Sequence, residues 1–245
     1  MRLQILGCGT IIQQDSAYNC SGYLVDQSLL FDCGPGIWRA LHQQRVPLLQ
    51  IEHIFLSHFH LDHCADLAPI LQENYLTDPE GERCFNLYGP KGLHDWFDRF
   101  TAFLGKWAGD IPVYLHECDR QVISLAGYHI TSGTTGHTEN SLCYRLEKGS
   151  KYFFYSGDTG YHENVVSQAA DCHLAVIEAS HSVDTKMEGH LTPELAATIA
   201  ARASVKKLCL THMYPEVRKG NPQRLAARCF NGEIYLAEDG LQIEF

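Results

Sequence analysis

The run Ser57-His58-Phe59-His60-Leu61-Asp62-His63 places three imidazoles and one carboxylate almost side by side. Imidazole is the commonest ligand of zinc-like ions, and a carboxylate completes such a site without a redox-active sulfur. His58 and His60 alternate on an extended segment, so both can face one ion; Asp62 and His63 then turn the chain and offer donors to a neighbouring ion. A lone histidine is most often a packing residue, which is how His42, His53, His94 and His129 read. Packing does not account for so dense a cluster. Two ions need about six ligands, and further donors follow later apolar runs: His137 in Gly136-His137-Thr138, Asp158 in Gly157-Asp158-Thr159, and His212 in Leu210-Thr211-His212. Each tripeptide alone reads as a turn. Their weight comes from occurring together, in order, each after an apolar run.

Elements that position these donors can be read from side-chain periodicity. Strands are expected over 2–6, 22–26, 28–32, 53–56, 85–88, 113–115, 121–125, 128–132, 142–146, 152–155, 174–177 and 207–211, with 22–26 and 28–32 paired as a hairpin and 234–245 as a closing hairpin. Helices are expected over 37–44 and 92–103, and after Thr192-Pro193, where Thr suits the N-cap and Pro the first helical position. Two sheets packed face to face with helices outside satisfy this order, in a single domain over 1–245. Strand ends then converge on one edge, where loops pool ligands from distant positions.

Bulk properties narrow the class. With 245 residues, 45% hydrophobic and 20% charged, the chain is long enough for a sizeable buried core. A formal net charge of −10 and the lack of a Lys/Arg block disfavour a general binder of long nucleic acid. The 10 cysteines are spread without one C-x-x-C pair, which argues against zinc ribbons and redox dithiols and for reduced thiols in the cytoplasm. No signal-peptide pattern and no membrane-length apolar run is present, so the expected location is cytoplasmic, with no membrane partner.

The ordered pattern H-x-H-x-D-H, Gly-His, Gly-Asp-Thr, Thr-His, together with Leu6-Gly7-Cys8-Gly9-Thr10 and Asp32-x-Gly34, resembles the metallo-β-lactamase fold superfamily across essentially the whole chain. The resemblance implies an α/β, four-layer αββα sandwich with the metals at one edge. It implies that His58, His60 and His137 bind one divalent ion, that Asp62, His63 and His212 bind a second, and that Asp158 bridges them. Zinc is the expected metal, with manganese and iron accepted by the same donors.

Glu178-Ala179-Ser180 and Gly189-His190-Leu191-Thr192 resemble the ribonuclease Z and related phosphodiesterase branch. That resemblance implies that Glu178 orients His190, and that His190 contacts the phosphate or acts as general acid; the competing reading makes His190 a helix cap and Glu178 a surface residue. His181 is a partner or a bystander. Asp62 would serve a metal-bridged hydroxide nucleophile, activated by ions about 3.5–4 Å apart. Only twenty residues separate His137 from Asp158, so the long transfer-RNA-gripping arm of ribonuclease Z is absent. The expectation is a phosphodiesterase for a small or nucleotide-like phosphodiester. The alternatives are a carboxyl-ester, thioester or lactone hydrolase on the same centre, and a transfer RNA 3′-processing endoribonuclease. The aromatic-rich stretch 65–106 leaves a homodimer open.

Overall fold

The computed structural model describes residues 1–12, 18–78, 80–118, 122–125, 127–185 and 187–245. Strands whose successive side chains point to opposite faces can be apolar on both only if both faces are covered. Such strands are frequent here. The first sheet contains β1 (Arg2–Gly7), β2 (Gly22–Val25), β3 (Leu29–Phe31), β4 (His53–Phe55), β5 (Phe85–Gly89) and β6 (Val113–Glu117). The second contains β7 (Ile123–Leu125), β8 (Tyr128–Thr134), β9 (Leu142–Lys148), β10 (Lys151–Tyr155), β11 (Leu174–Glu178), β12 (Lys207–Thr211) and β13 (Glu233–Leu236). A last strand, β14 (Gln242–Glu244), returns to the first sheet. The orders are β14-β1-β2-β3-β4-β5-β6 and β13-β12-β11-β10-β9-β8-β7.

Leu3, Ile5, Phe31 and Phe55 face Ile130, Tyr144, Phe153 and Val176 across the gap between the sheets and form the central core. Phe31 stacks on Phe55 at 4.8 Å and meets Phe153 of the other sheet at 6.0 Å. The opposite faces carry Leu24, Leu30, Ile54 and Leu87 against helices Ile37–Gln43, Leu67–Thr77 and Leu93–Leu104. On the other side Phe154, Ala175, Ile177 and Leu210 pack under helices Glu163–Gln168, Pro193–Arg202 and Pro222–Ala226. Three apolar layers between four structural layers give the αββα sandwich expected from the sequence. Thr192 caps its helix by accepting from the Leu195 N–H, with Pro193 at the first position.

One expected pairing is wrong. Residues 234–245 do not close as a hairpin: β13 pairs parallel with β12, whereas β14 pairs antiparallel with β1 in the other sheet. The connection crosses between sheets, with the Ala237 N–H on Leu210 O and the Gly240 N–H on Ile5 O. Gln121, expected at the start of a strand, lies outside the described residues. Among the described residues no helix is long and apolar enough to cross a membrane.

Candidate metal centre

The C-terminal ends of β3, β4, β10, β11 and β12 lie at one edge, because β3–β4 and β10–β11–β12 run parallel within their sheets. Parallel strands deliver their following loops to the same side. Asp32 follows β3, the His58–His63 run follows β4, Asp158 follows β10, Glu178 ends β11 and His212 follows β12. His137 reaches the same edge from the end of antiparallel β8. Backbone geometry is specialised here. Gly157 has φ 57°, and a Cβ on it would lie 2.7 Å from Ser57 Cβ, so Asp158 is presented by a turn that only glycine fits. His212 and Asp32 also hold left-handed backbone, at φ 51° and 57°. Their non-glycine side chains accept strain of about 1–3 kcal/mol, which surrounding bonds must fix.

The donors converge. His137 Nε2 lies 3.2 Å from His60 Nδ1, and Asp158 Oδ2 lies 3.9 Å from both His58 Nε2 and His137 Nε2. On the other side of Asp158, its Oδ1 is 3.4 Å from His63 Nε2, and His212 Nε2 is 3.3 Å from both His63 Nε2 and Asp62 Oδ2. Ligand bonds of about 2.0–2.2 Å in a tetrahedron put neighbouring donor atoms about 3.3–3.6 Å apart, close to these separations. His58, His60 and His137 therefore form one group, Asp62, His63 and His212 another, and Asp158 stands between them.

Hydrogen bonds behind the rings set their tautomers. His63 Nδ1 donates to Asp32 Oδ2 at 2.7 Å, and His137 Nδ1 donates to Gly189 O at 3.1 Å. Ser57 Oγ gives its proton to Asp32 Oδ2 and so accepts from His58 Nδ1; Ser180 Oγ gives its proton to Glu178 Oε2 and so accepts from His212 Nδ1. Each Nε2 is left as a lone pair aimed inward. His58 Nε2 and Asp158 Oδ1 are buried without a hydrogen-bond partner. Facing lone pairs repel unless a cation lies among them, so this donor set fits divalent metal ions.

Electrostatics agree. Burial, then repulsion from His63, pushes His58 well below the imidazole range, and burial lowers His137. Burial opposes charge on Asp158, but the imidazoles of His212 and His63 hold it well below the carboxylate range; Asp62 is likewise lowered against burial by His212 and His63. Burial also opposes charge on His63, yet Asp158 and Asp32 raise it well above its ordinary value. Positive charge belongs at this point, and a metal ion can supply it in place of a proton.

Glu178 is 1% exposed, so it is no surface residue. Its Oε1 accepts from His190 Nδ1 at 2.8 Å and the Thr159 N–H at 3.0 Å; its Oε2 accepts from Ser180 and Leu191 N–H groups and from Ser180 Oγ. Helix capping falls to Thr192. His190 instead faces the cluster, its ring 4.6 Å from that of His137. His181 lies beside His190 and stacks on Tyr214 at 4.7 Å, with both ring nitrogens unpaired. Glu178 bonds His190, not His181. The sequence reading assigned no role to Asp32, Ser57 and Ser180. Asp32, in the Asp-x-Gly turn, accepts from the Ser57 N–H and Oγ, His63 and Tyr155 OH; the two serines carry no spacing signal at all.

A family model described as a β-lactamase superfamily domain matches residues 27–213. The uncharacterized protein Rv1339 of Mycobacterium tuberculosis is 30% identical over 251 residues, covering 96% of this chain and 89% of that protein. Ribonuclease Z of Methanothermobacter thermautotrophicus is 24% identical over 268 residues, covering 88% and 86%. The crystal structure of the metallo-β-lactamase fold protein YhfI from Bacillus subtilis superimposes with a TM-score of 0.87 at 23% identity, covering 100% and 99%. This chain belongs to the β-lactamase superfamily. Within it, the chain is a metal-dependent hydrolase.

Proposed function

We propose that this protein is a dinuclear metal-dependent phosphodiesterase acting on a small or nucleotide-like phosphodiester. The observation that carries the reading is the buried Glu178–His190 pair placed against the metal-binding donors. His58, His60 and His137 would hold one ion, Asp62, His63 and His212 the other, with Asp158 between; zinc suits the imidazole-rich set, and manganese or iron could replace it. Bound ions would supply a Lewis acid for the phosphoryl oxygens and acidify water at neutral pH.

The chain's own groups complete the chemistry. Asp62, kept ionised, can accept a hydrogen bond from the attacking water. Burial works against a proton on His190, but the Glu178 hydrogen bond and charge raise its pKa, so imidazolium is favoured. With Nδ1 fixed on Glu178, Nε2–H is the proton available to the departing oxygen. Between His137 and Asp158 the chain is used by the β9–β10 hairpin, with Lys151 paired to Lys148, which leaves no long arm. That and the net charge of −10 favour a small substrate over a long nucleic acid.

The test is hydrolysis of bis(p-nitrophenyl) phosphate by metal-loaded wild type and His190→Ala, with metal content measured in both. General acid catalysis contributes about 10²–10⁴-fold, so the variant should lose activity on that scale while retaining two equivalents of metal. Full activity in the variant would remove the role given to His190. Turnover confined to thioesters, lactones or other carboxyl esters would overturn the phosphodiesterase reading.

A further inference from the structure

The metal-binding edge of the sandwich continues past the donors. A cavity of about 270 Å³ opens next to His58 and His60, walled by Phe59, Pro90, Glu139 and Asn140. Asn140 also lines a second cavity of about 100 Å³, whose other walls include Lys91, Cys118, Ser132 and Leu142. The two spaces thus meet at one side chain.

The smaller cavity has the chemistry of an anion site. Ser132 sits in β8, two residues after Ile130 and on the same inward face. It is 2% exposed and its Oγ has no hydrogen-bond partner. A buried hydroxyl without a partner is unfavourable, and an apolar side chain would have filled the position better. Lys91 is the one lysine or arginine in the wall of either cavity among the described residues. Glu139 lines the larger cavity but not the smaller, and Glu117, which accepts the Gly92 N–H at 2.9 Å, lines neither. Among the described residues the smaller wall therefore combines a lysine, a spare O–H and an amide, with no carboxylate in it. Its volume of about 100 Å³ has room for one tetrahedral oxyanion.

We propose that this cavity is a subsite for a second phosphate, carried on the non-leaving arm of the substrate and held by Lys91, Ser132 and Asn140. The word substrate rests on the phosphodiesterase reading; the oxyanion site does not. Charge-assisted hydrogen bonds are the strong ones, so the contact should discriminate between substrates that differ only in this group.

Two measurements on the metal-loaded enzyme test it. The first is acetylation of individual lysines, resolved by mass spectrometry, with and without millimolar inorganic phosphate. Lys91 should be protected about fivefold or more, while the remote Lys106 and Lys151 are not. Unchanged acetylation of Lys91 overturns the subsite, and equal protection by acetate overturns its assignment to a tetrahedral oxyanion. The second compares thymidine 5′-(p-nitrophenyl phosphate) with its 3′-phosphorylated counterpart. Wild type should favour the latter about tenfold in kcat/KM, and Lys91→Met should bring that ratio to about 1, whereas Lys151→Met should keep it. Equal kcat/KM in wild type overturns the proposal. Should neither ester be cleaved, the phosphodiesterase reading fails and the acetylation result still decides the oxyanion site.

Discussion

The two ends of the sandwich are both polar and both bridge the sheets, yet they are built on opposite terms. At one end, His58 Nε2, Asp158 Oδ1 and both nitrogens of His181 are buried without partners. At the other, Asp26 in the β2–β3 turn accepts from the Arg2 N–H at 2.8 Å, Tyr128 OH at 2.5 Å and Lys148 Nζ at 3.2 Å. Tyr128 and Lys148 belong to the second sheet, so this carboxylate ties the two sheets together with its donors matched to its lone pairs. A satisfied polar cluster adds stability, whereas an unsatisfied one is retained at a cost and has to be explained by what it binds.

The largest effect should come from Asp158→Ala. Among the described residues it removes the only carboxylate that stands between both donor groups. Metal content should fall below two equivalents and activity by more than the about 10–100-fold expected of a residue that only supports a ligand. Full metal content by plasma mass spectrometry would break the picture of one carboxylate between two sites. Asp32→Asn comes next. It leaves the donors in place but puts an N–H among groups that donate to Asp32: Ser57, His63 and Tyr155. Metal affinity should weaken about 10–100-fold, measured by competition with a chromogenic chelator, with a loss of stability as well. An unchanged affinity would mean that the His63 tautomer is not set from behind.

How much of this contrast can be read from sequence follows from what each feature depends on. Donor residues announce themselves by type and density, and most strands by alternation, so the His58–His63 run and its companions were legible. Residues that orient the donors were not: Ser57, Ser180 and Asp32 are ordinary polar residues whose meaning lies in long-range contacts, such as Ser180 to His212 thirty-two residues away. The helix Leu67–Thr77 went unread although it buries Leu67, Ile70, Leu71 and Asn74, a helical spacing, because Pro69 and polar residues interrupt the pattern. The 234–245 hairpin failed for a different reason. Local sequence shows that two strands are near in the chain, and only the cores they complete decide which sheet each joins.

Asp26→Asn tests the satisfied end and should be milder. Asparagine tolerates the left-handed backbone, φ 46°, that this position holds, so the change isolates the carboxylate. Stability should fall by about 1–2 kcal/mol with activity intact, seen in urea unfolding. The pH dependence has a definite sign. Burial raises the pKa of Asp26, but hydrogen bonds from Tyr128, Arg2 and Lys148 lower it overall. A depressed folded-state value contributes stability above the unfolded value, near 3.8, and that contribution is lost as pH falls through the folded one. The gap between wild type and variant should therefore be full at pH 7 and shrink below about pH 4. A gap that widens in acid would show that Asp26 is not the charged partner.

The smallest effect is expected of Lys148→Met, and it separates two ways in which the closed end could work. Lys148 Nζ reaches Asp26, bonds Tyr128 OH at 2.9 Å and lies 4.3 Å from the centre of the Tyr128 ring. Its side chain is 44% exposed, so solvent screens the pair and the loss should be about 0.2–1 kcal/mol. Were the lysine to act through the carboxylate, Lys148→Met would cost almost nothing once Asp26→Asn is present. Were the ring contact to carry it, the cost would be the same in both backgrounds. The two charged groups are in direct contact, which favours coupling, and a double-mutant cycle in urea measures it. Strict additivity would mean that Lys148 acts through the Tyr128 ring and not through the carboxylate, leaving Asp26 with hydrogen bonds from neutral donors that salt should hardly weaken.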